Sequence, residues 1–270
     1  MSYDDFSAID VTVRDSIAVL TINHPPINLF DLLLISEMDR AGQQLAADED
    51  VRVVLIQSAD KDFFIAHADV TLIQDVAASP AEEDPDSSFF HAMTERFRLM
   101  SKPTIAKVNG IARGGGLELL AALDMRFCSI ERTRLAQPEV TVGIIPGGGG
   151  SSRWPALIGY ARAMELMIGG FDFDGATAEK YGLVNRALPE QELDGFVERL
   201  VRQIASYPPH AVAMIKSVGQ LNGTVEERLA VENRAFLETA RHPTATSAMK
   251  DFLDAGGQTR EVELTSPFGS

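Results

Sequence analysis

The chain has 270 residues, 45% of them hydrophobic, a formal net charge of −15 and a pI near 4.7. That length supports a substantial core in one large domain, with or without a smaller appendage. The acidic balance excludes a nucleic-acid partner held by clustered Lys and Arg, since no run of five or six basic residues occurs. A single cysteine, Cys128, excludes an intrachain disulfide framework and a multi-thiolate metal site. With an acidic N-terminus lacking a targeting pattern, and no apolar run of membrane-spanning length, the expectation is a cytoplasmic protein without a membrane partner.

In chain order, Ile9 to Val13 and Ile17 to Ile22 flank Arg14-Asp15-Ser16 and predict a hairpin, ended by Pro25-Pro26. Leu32 to Ala47 reads as a helix, Val51 to Gln57 as a strand, and Thr104 to Val108 as a strand after Pro103. Ser79 to Ser88 is acidic and Pro-containing, the composition of a surface loop. From residue 190 apolar positions recur at helical spacing (Leu193, Phe196, Val197, Leu200, Val201, Ile204), and Ala211 to Leu221 and Val225 to Thr239 continue the pattern. The expected organisation is an α/β core over 1–189, a helical subdomain over 190–254 and a loosely ordered tail over 255–270.

Glycine clusters at Asn109-Gly110, Gly114-Gly115-Gly116 and Gly147 to Gly150 mark tight turns or close backbone approach to a ligand. None completes G-x-G-x-x-G or a Walker motif, and no G-x-S-x-G nucleophile elbow is present. The five histidines fall outside metal-ligand spacings, and Cys128, inside Met125 to Ile130, reads as a small buried hydrophobe. Two carboxylates remain: Glu118, just after the triple glycine at a predicted helix start, and Glu139, after Gln137-Pro138. At such positions a glutamate serves either as an acid/base group or as a solvated carboxylate favoured by the helix dipole.

The segment Lys102 to Leu119 (KPTIAKVNGIARGGGLEL) resembles the central signature of the crotonase, or enoyl-CoA hydratase/isomerase, superfamily. Ala136-Gln137-Pro138-Glu139 with Gly143 to Gly150 resembles its second signature, and Phe64 to Asp69 (FIAHAD) its upstream one. The resemblance covers about residues 9 to 254. It implies a spiral of β-β-α repeats with C-terminal helices mediating trimers or hexamers. It also implies an acyl-CoA thioester substrate, with coenzyme A arriving as part of that substrate and no permanently bound cofactor.

Residue by residue, the resemblance implies that Glu118 and Glu139 form the acid/base pair around an attacking water. It puts the oxyanion hole at the N–H groups of Ala66 and Gly115. It counts Ile65, His67, Ala68, Asp69, Gly114, Pro138 and Gly147 among the residues that bind the substrate. His67 departs from the pattern, standing where relatives commonly carry glycine. The C-terminal Lys/Arg cluster of relatives is replaced by Phe252-Leu253-Asp254-Ala255, so the candidates for the CoA phosphates are Lys61, Arg113, and Lys250 or Arg260 from this or a neighbouring subunit, with Lys61 and Lys250 the expected pair. Three readings remain: a hydratase, an isomerase or other acyl-CoA enzyme, and a non-catalytic acyl-CoA-binding subunit. Retention of both glutamates favours the first.

Overall fold

Asp15 and Ser16 both take positive φ, 52° and 62°, in the computed structural model, which describes residues 3–78 and 88–265. This is the two-residue turn whose twist matches the strands it joins, and it closes β1 (Ile9–Arg14) onto β2 (Ile17–Ile22) in antiparallel register. Helix α1 (Leu32–Ala47) starts at Asp31, whose side chain accepts the Leu34 N–H at 2.9 Å, and it buries Leu34, Met38, Ala41 and Leu45.

Three successive units then follow one rule. The strand pairs are β3 (Val53–Ser58) with β4 (Phe63–Ile65), β5 (Thr104–Val108) with β6 (Ile111–Arg113), and β7 (Met125–Ser129) with β8 (Arg134–Ala136). The first strand of each pair enters a six-stranded sheet, order β1-β2-β3-β5-β7-β10, and the second enters a four-stranded sheet, order β4-β6-β8-β9. The helices between the pairs are α2 (Val70–Ala78) and α3 (Phe89–Leu99) after β4, α4 (Gly115–Ala122) after β6, and α5 (Gly150–Ile158) and α6 (Tyr160–Gly169) after β8. Strand β9 (Phe173–Asp174), helix α7 (Gly175–Tyr181) and strand β10 (Arg186–Leu188) complete the sheets. This is the β-β-α spiral that the family resemblance implies, where periodicity alone gave an α/β core followed by helices. Its central strands pair in parallel, which accounts for runs such as Val53 to Ile56, buried throughout because both faces of the sheet are covered. Cys128 lies fully buried in β7, and burial pushes its thiol up to about 12, the state of a packing residue rather than a nucleophile.

Helix α8 (Glu190–Ser206) lays Leu193, Val197, Val201 and Ala205 against Val53, Leu55, Ile105 and Phe127 of the large sheet. The helical subdomain drawn from residue 190 therefore shares its first helix with the core. Beyond it come α9 (Pro209–Gly219), α10 (Val225–Ala240), α11 (Pro243–Asp254) and α12 (Arg260–Thr265). Helix α10 is secured at its start by a capping box between Thr224 and Glu227. These helices leave Ile215, Leu229, Phe236, Met249 and Leu253 exposed. The tail expected to be loosely ordered carries α12, and residues 266–270 lie outside the described residues. So do residues 79–87 of the predicted acidic loop; Ser88 caps α3. Among the described residues, no helix is long and apolar enough to cross a membrane.

Candidate active site

The four-stranded sheet sets the ends of β4, β6 and β8 side by side, and each expected motif lies at one of these strand ends. After β6, Gly114 turns the chain at φ 49° and α4 begins at Gly115. Gly116 lets α4 press on β4, since a Cβ there would lie 2.6 Å from the Ile65 carbonyl oxygen. One turn later Glu118 is only 4% exposed, so the solvated alternative does not apply. Its Oε1 accepts the Gly150 N–H at 2.9 Å, and the Gly148 N–H also faces the carboxyl. Glycine is required at 148 because a Cβ would lie 2.6 Å from the Phe90 ring and closer still to Glu118.

Glu139 opens a single 3-10 turn (Glu139–Val142) just after β8. Gln137, fully buried, donates its amide to both Glu139 oxygens at 3.1 and 3.3 Å and accepts the indole N–H of Trp154 at 3.1 Å. Burial lifts the Glu118 carboxyl to about 7; the Gly150 and Gly148 N–H groups and the Arg153 charge hold it down, while the Glu139 charge pushes it up. Glu139 is raised as well, chiefly by burial, with the Gln137 hydrogen bond opposing. Two such neighbours titrate as a pair rather than independently.

Both carboxyls face a cavity of about 510 Å³. His67, Ala68, Gly114, Gly115, Pro138, Gly147 and Gly148 surround its polar end, and Ile35, Val70, Leu72, Ile73, Phe90, Val142, Ile144 and Ile145 supply apolar walls. Phe90 is held edge-on by Phe30, ring centroids 5.3 Å apart. His67 turns toward this cavity, and its Nδ1–H donates to the Ala68 carbonyl at 2.8 Å.

The backbone corrects one expectation. The Ala66 N–H donates to the Ile27 carbonyl at 3.2 Å, and Ala66 is buried away from the cavity, so it has no proton to offer a ligand. Two residues on, Phe30 forms an isolated parallel bridge with Ala68: its N–H donates to the His67 carbonyl (3.0 Å) and its carbonyl accepts the Asp69 N–H (2.9 Å). Because the His67–Ala68 peptide is trans, a His67 carbonyl aimed at Phe30 turns the Ala68 N–H the other way. No hydrogen bond to that N–H is found among the described residues. Gly115, the first residue of α4, likewise has an N–H without an intrahelical partner. A Cβ on Gly115 would sit 3.4 Å from that of Ala68, so the two residues adjoin at the cavity.

Four other residues expected at the substrate lie outside the lining of this cavity. Ile65 packs in the core, its carbonyl against Gly116. The Asp69 carboxylate accepts the Thr71 N–H and hydroxyl, at 2.8 and 2.7 Å, and so caps α2. Lys61 and Lys250 do not line the cavity: the Lys61 carbonyl accepts from Arg132, and Lys250 pairs with Asp254 one turn along its own helix. Reasoning from sequence missed the Gln137–Trp154 pair and the apolar wall. The first was visible only as a glutamine two residues before a motif glutamate, and the second comes from α1, α2, α3 and the 3-10 segment, which meet only in the fold.

Residues 12–259 match the family model "Enoyl-CoA hydratase/isomerase". A short-chain-enoyl-CoA hydratase of Clostridium acetobutylicum is 31% identical, covering 92% of this chain and 93% of its own. A carnitinyl-CoA dehydratase of Proteus mirabilis is 34% identical over 78% of this chain and 79% of its own. Among solved structures, an enoyl-CoA hydratase from Bacillus anthracis superposes with a TM-score of 0.83 at 28% identity, covering 92% of this chain and 97% of that one. With one buried and one half-buried carboxyl and two unspent amides meeting at one cavity, and matches that span nearly its whole length, the chain belongs to the enoyl-CoA hydratase/isomerase family of the crotonase superfamily of enzymes.

Proposed function

We propose that the protein is an enoyl-CoA hydratase, adding water across the α,β double bond of an acyl-CoA thioester. The observation that carries this reading is the convergence of Glu118 and Glu139, both with raised pKa, on a cavity bordered by the Ala68 and Gly115 amides. In this reading the thioester oxygen sits between those two N–H groups, in place of the Ala66 and Gly115 pair. Water held by the two carboxyls attacks Cβ, one carboxylate takes its proton, and the π electrons move toward the thioester as negative charge gathers on its oxygen. Cα is then protonated from the same carboxyl pair. Each preorganised donor of this kind is typically worth roughly 10²- to 10³-fold in rate. A pair carrying one proton near neutral pH supplies both halves of the transfer without outside acid or base. A double-bond shift needs one such group, so retention of two supports hydration over isomerisation. CoA enters and leaves with the substrate.

The exposed apolar residues of α9 to α11 support self-association through these helices, as a trimer or hexamer; light scattering of a dilute monomer would contradict it. A reducing, cytoplasmic setting is the reading its one buried cysteine supports. The decisive experiment is a screen of short, medium, branched and aromatic enoyl-CoA esters, followed through loss of the conjugated thioester absorbance. Glu118→Gln and Glu139→Gln are each expected to lower turnover by ~10²- to 10⁴-fold while sparing acyl-CoA binding. Near wild-type turnover in either variant overturns the mechanism, and a Glu118 variant that still moves double bonds favours the isomerase.

A further inference from the structure

Helix α3 grips the glycine loop that holds Glu118. Its His91 donates Nε2–H to the Gly147 carbonyl at 2.7 Å. In a trans peptide a carbonyl drawn toward α3 turns the following N–H, that of Gly148, to the opposite side, where the Glu118 carboxyl lies. One residue further on, the Gly148 carbonyl accepts Nη1 of Arg153 at 3.2 Å. Arg153 stands in the first turn of α5, mostly buried, and its Nη2 reaches back to α3, donating to Glu95 Oε1 at 2.7 Å and the Thr94 hydroxyl at 3.3 Å. Glu95 is itself fixed by Arg98 at 2.7 Å.

We propose that His91, Glu95 and Arg153 are positioning residues that together clamp the Gly147–Gly150 loop and thereby keep the Gly148 and Gly150 N–H groups on the Glu118 carboxyl. None of the three needs to touch substrate; they act through the loop. The clamp rests on the hydratase reading only for its effect on turnover. The charged and titratable groups around Glu118 are Glu139 on the 3-10 turn, Arg153 on α5, His91 and Glu95 on α3, and His67 after β4; α2 contributes Val70, Leu72 and Ile73 to the cavity.

The charges make the test directional. Loss of the His91 donor or of the Arg153 charge removes support from ionised Glu118, so its titration midpoint rises. Neutralising Glu95 while keeping its shape unmasks Arg153, so the midpoint falls. The experiment is carbon-13 NMR of the full-length resting enzyme labelled at glutamate carboxyls, with Glu118 assigned through Glu118→Gln. The pH dependence of kcat/KM on an accepted enoyl-CoA is measured alongside. His91→Phe and Arg153→Met are expected to move the midpoint up by roughly half a pH unit or more and to lower kcat with little change in KM. Glu95→Gln should move it down, and His91→Gln, which retains a donor, should lie between His91→Phe and wild type. An unmoved midpoint in His91→Phe and Arg153→Met, or an upward shift in Glu95→Gln, overturns the clamp; His91→Phe decides, since it removes a donor to the Gly147 carbonyl without removing a carboxylate or guanidinium whose charge acts on Glu118 directly. If Arg153→Met does not fold, the His91 and Glu95 variants decide. The NMR reading needs no turnover, so a wild-type enzyme inactive on every enoyl-CoA would defeat the hydratase reading without deciding the clamp.

Discussion

Gln137 donates its amide NH2 to Glu139, at 3.1 and 3.3 Å from the two oxygens, and to the Gly114 carbonyl at 3.5 Å, while its own carbonyl oxygen accepts the Trp154 indole N–H at 3.1 Å. A buried amide with both ends engaged has one workable orientation, so Gln137 fixes where the carboxylate points and also opposes the upward push of burial on its pKa.

Gln137→Leu is therefore expected to raise the Glu139 pKa further and to strand the Trp154 N–H, at a stability cost of about 1–3 kcal/mol. The pH–rate profile should shift to higher pH on the limb reporting the carboxyl pair, with kcat down at least about tenfold. Thermal melts and pH profiles check both parts. A variant with wild-type melting and profile would remove Gln137 from the mechanism.

Gly115 and Gly116 adjoin in sequence yet face different constraints. Gly115→Ala would meet Ala68, Phe30 and Phe90 at 3.4–3.5 Å, ordinary contact distances, and is expected to fold and to weaken thioester binding by crowding the cavity. Gly116→Ala would place its Cβ 2.6 Å from the Ile65 backbone oxygen and 2.9 Å from its Cβ, and is expected to destabilise by about 3 kcal/mol or more. Comparable melting temperatures for the two variants would contradict this division.

Glu118 also ties stability to pH. Its folded-state pKa is raised to about 7 from an ordinary 4.5, so folding favours the neutral form. The associated stability is fully present below pH 4.5 and is lost as pH rises through 7, a change on the order of 3 kcal/mol. Glu118→Gln, which cannot ionise, should melt near wild type at pH 5 and above it at pH 8. A gap that does not widen between those pH values would refute the assignment.

His67 borders the cavity. His67→Gly removes the imidazole and its hydrogen bond to Ala68, and is expected to broaden the range of acyl groups turned over, by roughly tenfold in kcat/KM for the bulkier esters. An unchanged substrate profile would show that the ring does not limit the acyl site.

Elements whose causes are local were legible from the residues alone. The Asp15-Ser16 turn, the Leu32–Ala47 helix and the Thr104–Val108 strand follow from turn chemistry and periodicity over a few residues. Both glutamates stood out for the same reason, each lying within a few residues of a glycine- or proline-marked strand end, but their pairing was implied only by the family resemblance. The tertiary structure decided which groups are spent and which are free. Ala66 and Ala68 are alike in sequence, and only the pairing of Ile27 and Phe30 with this segment, across more than thirty residues, occupies one N–H and leaves the other open. Likewise, burial of Glu118 depends on a loop that arrives thirty residues later to lay the Gly150 N–H on it. The stripe of α8 announces a buried face, but only the fold shows that the six-stranded sheet receives it. Propensity and spacing report on neighbours along the chain, whereas desolvation and hydrogen-bond satisfaction depend on whatever the fold brings alongside.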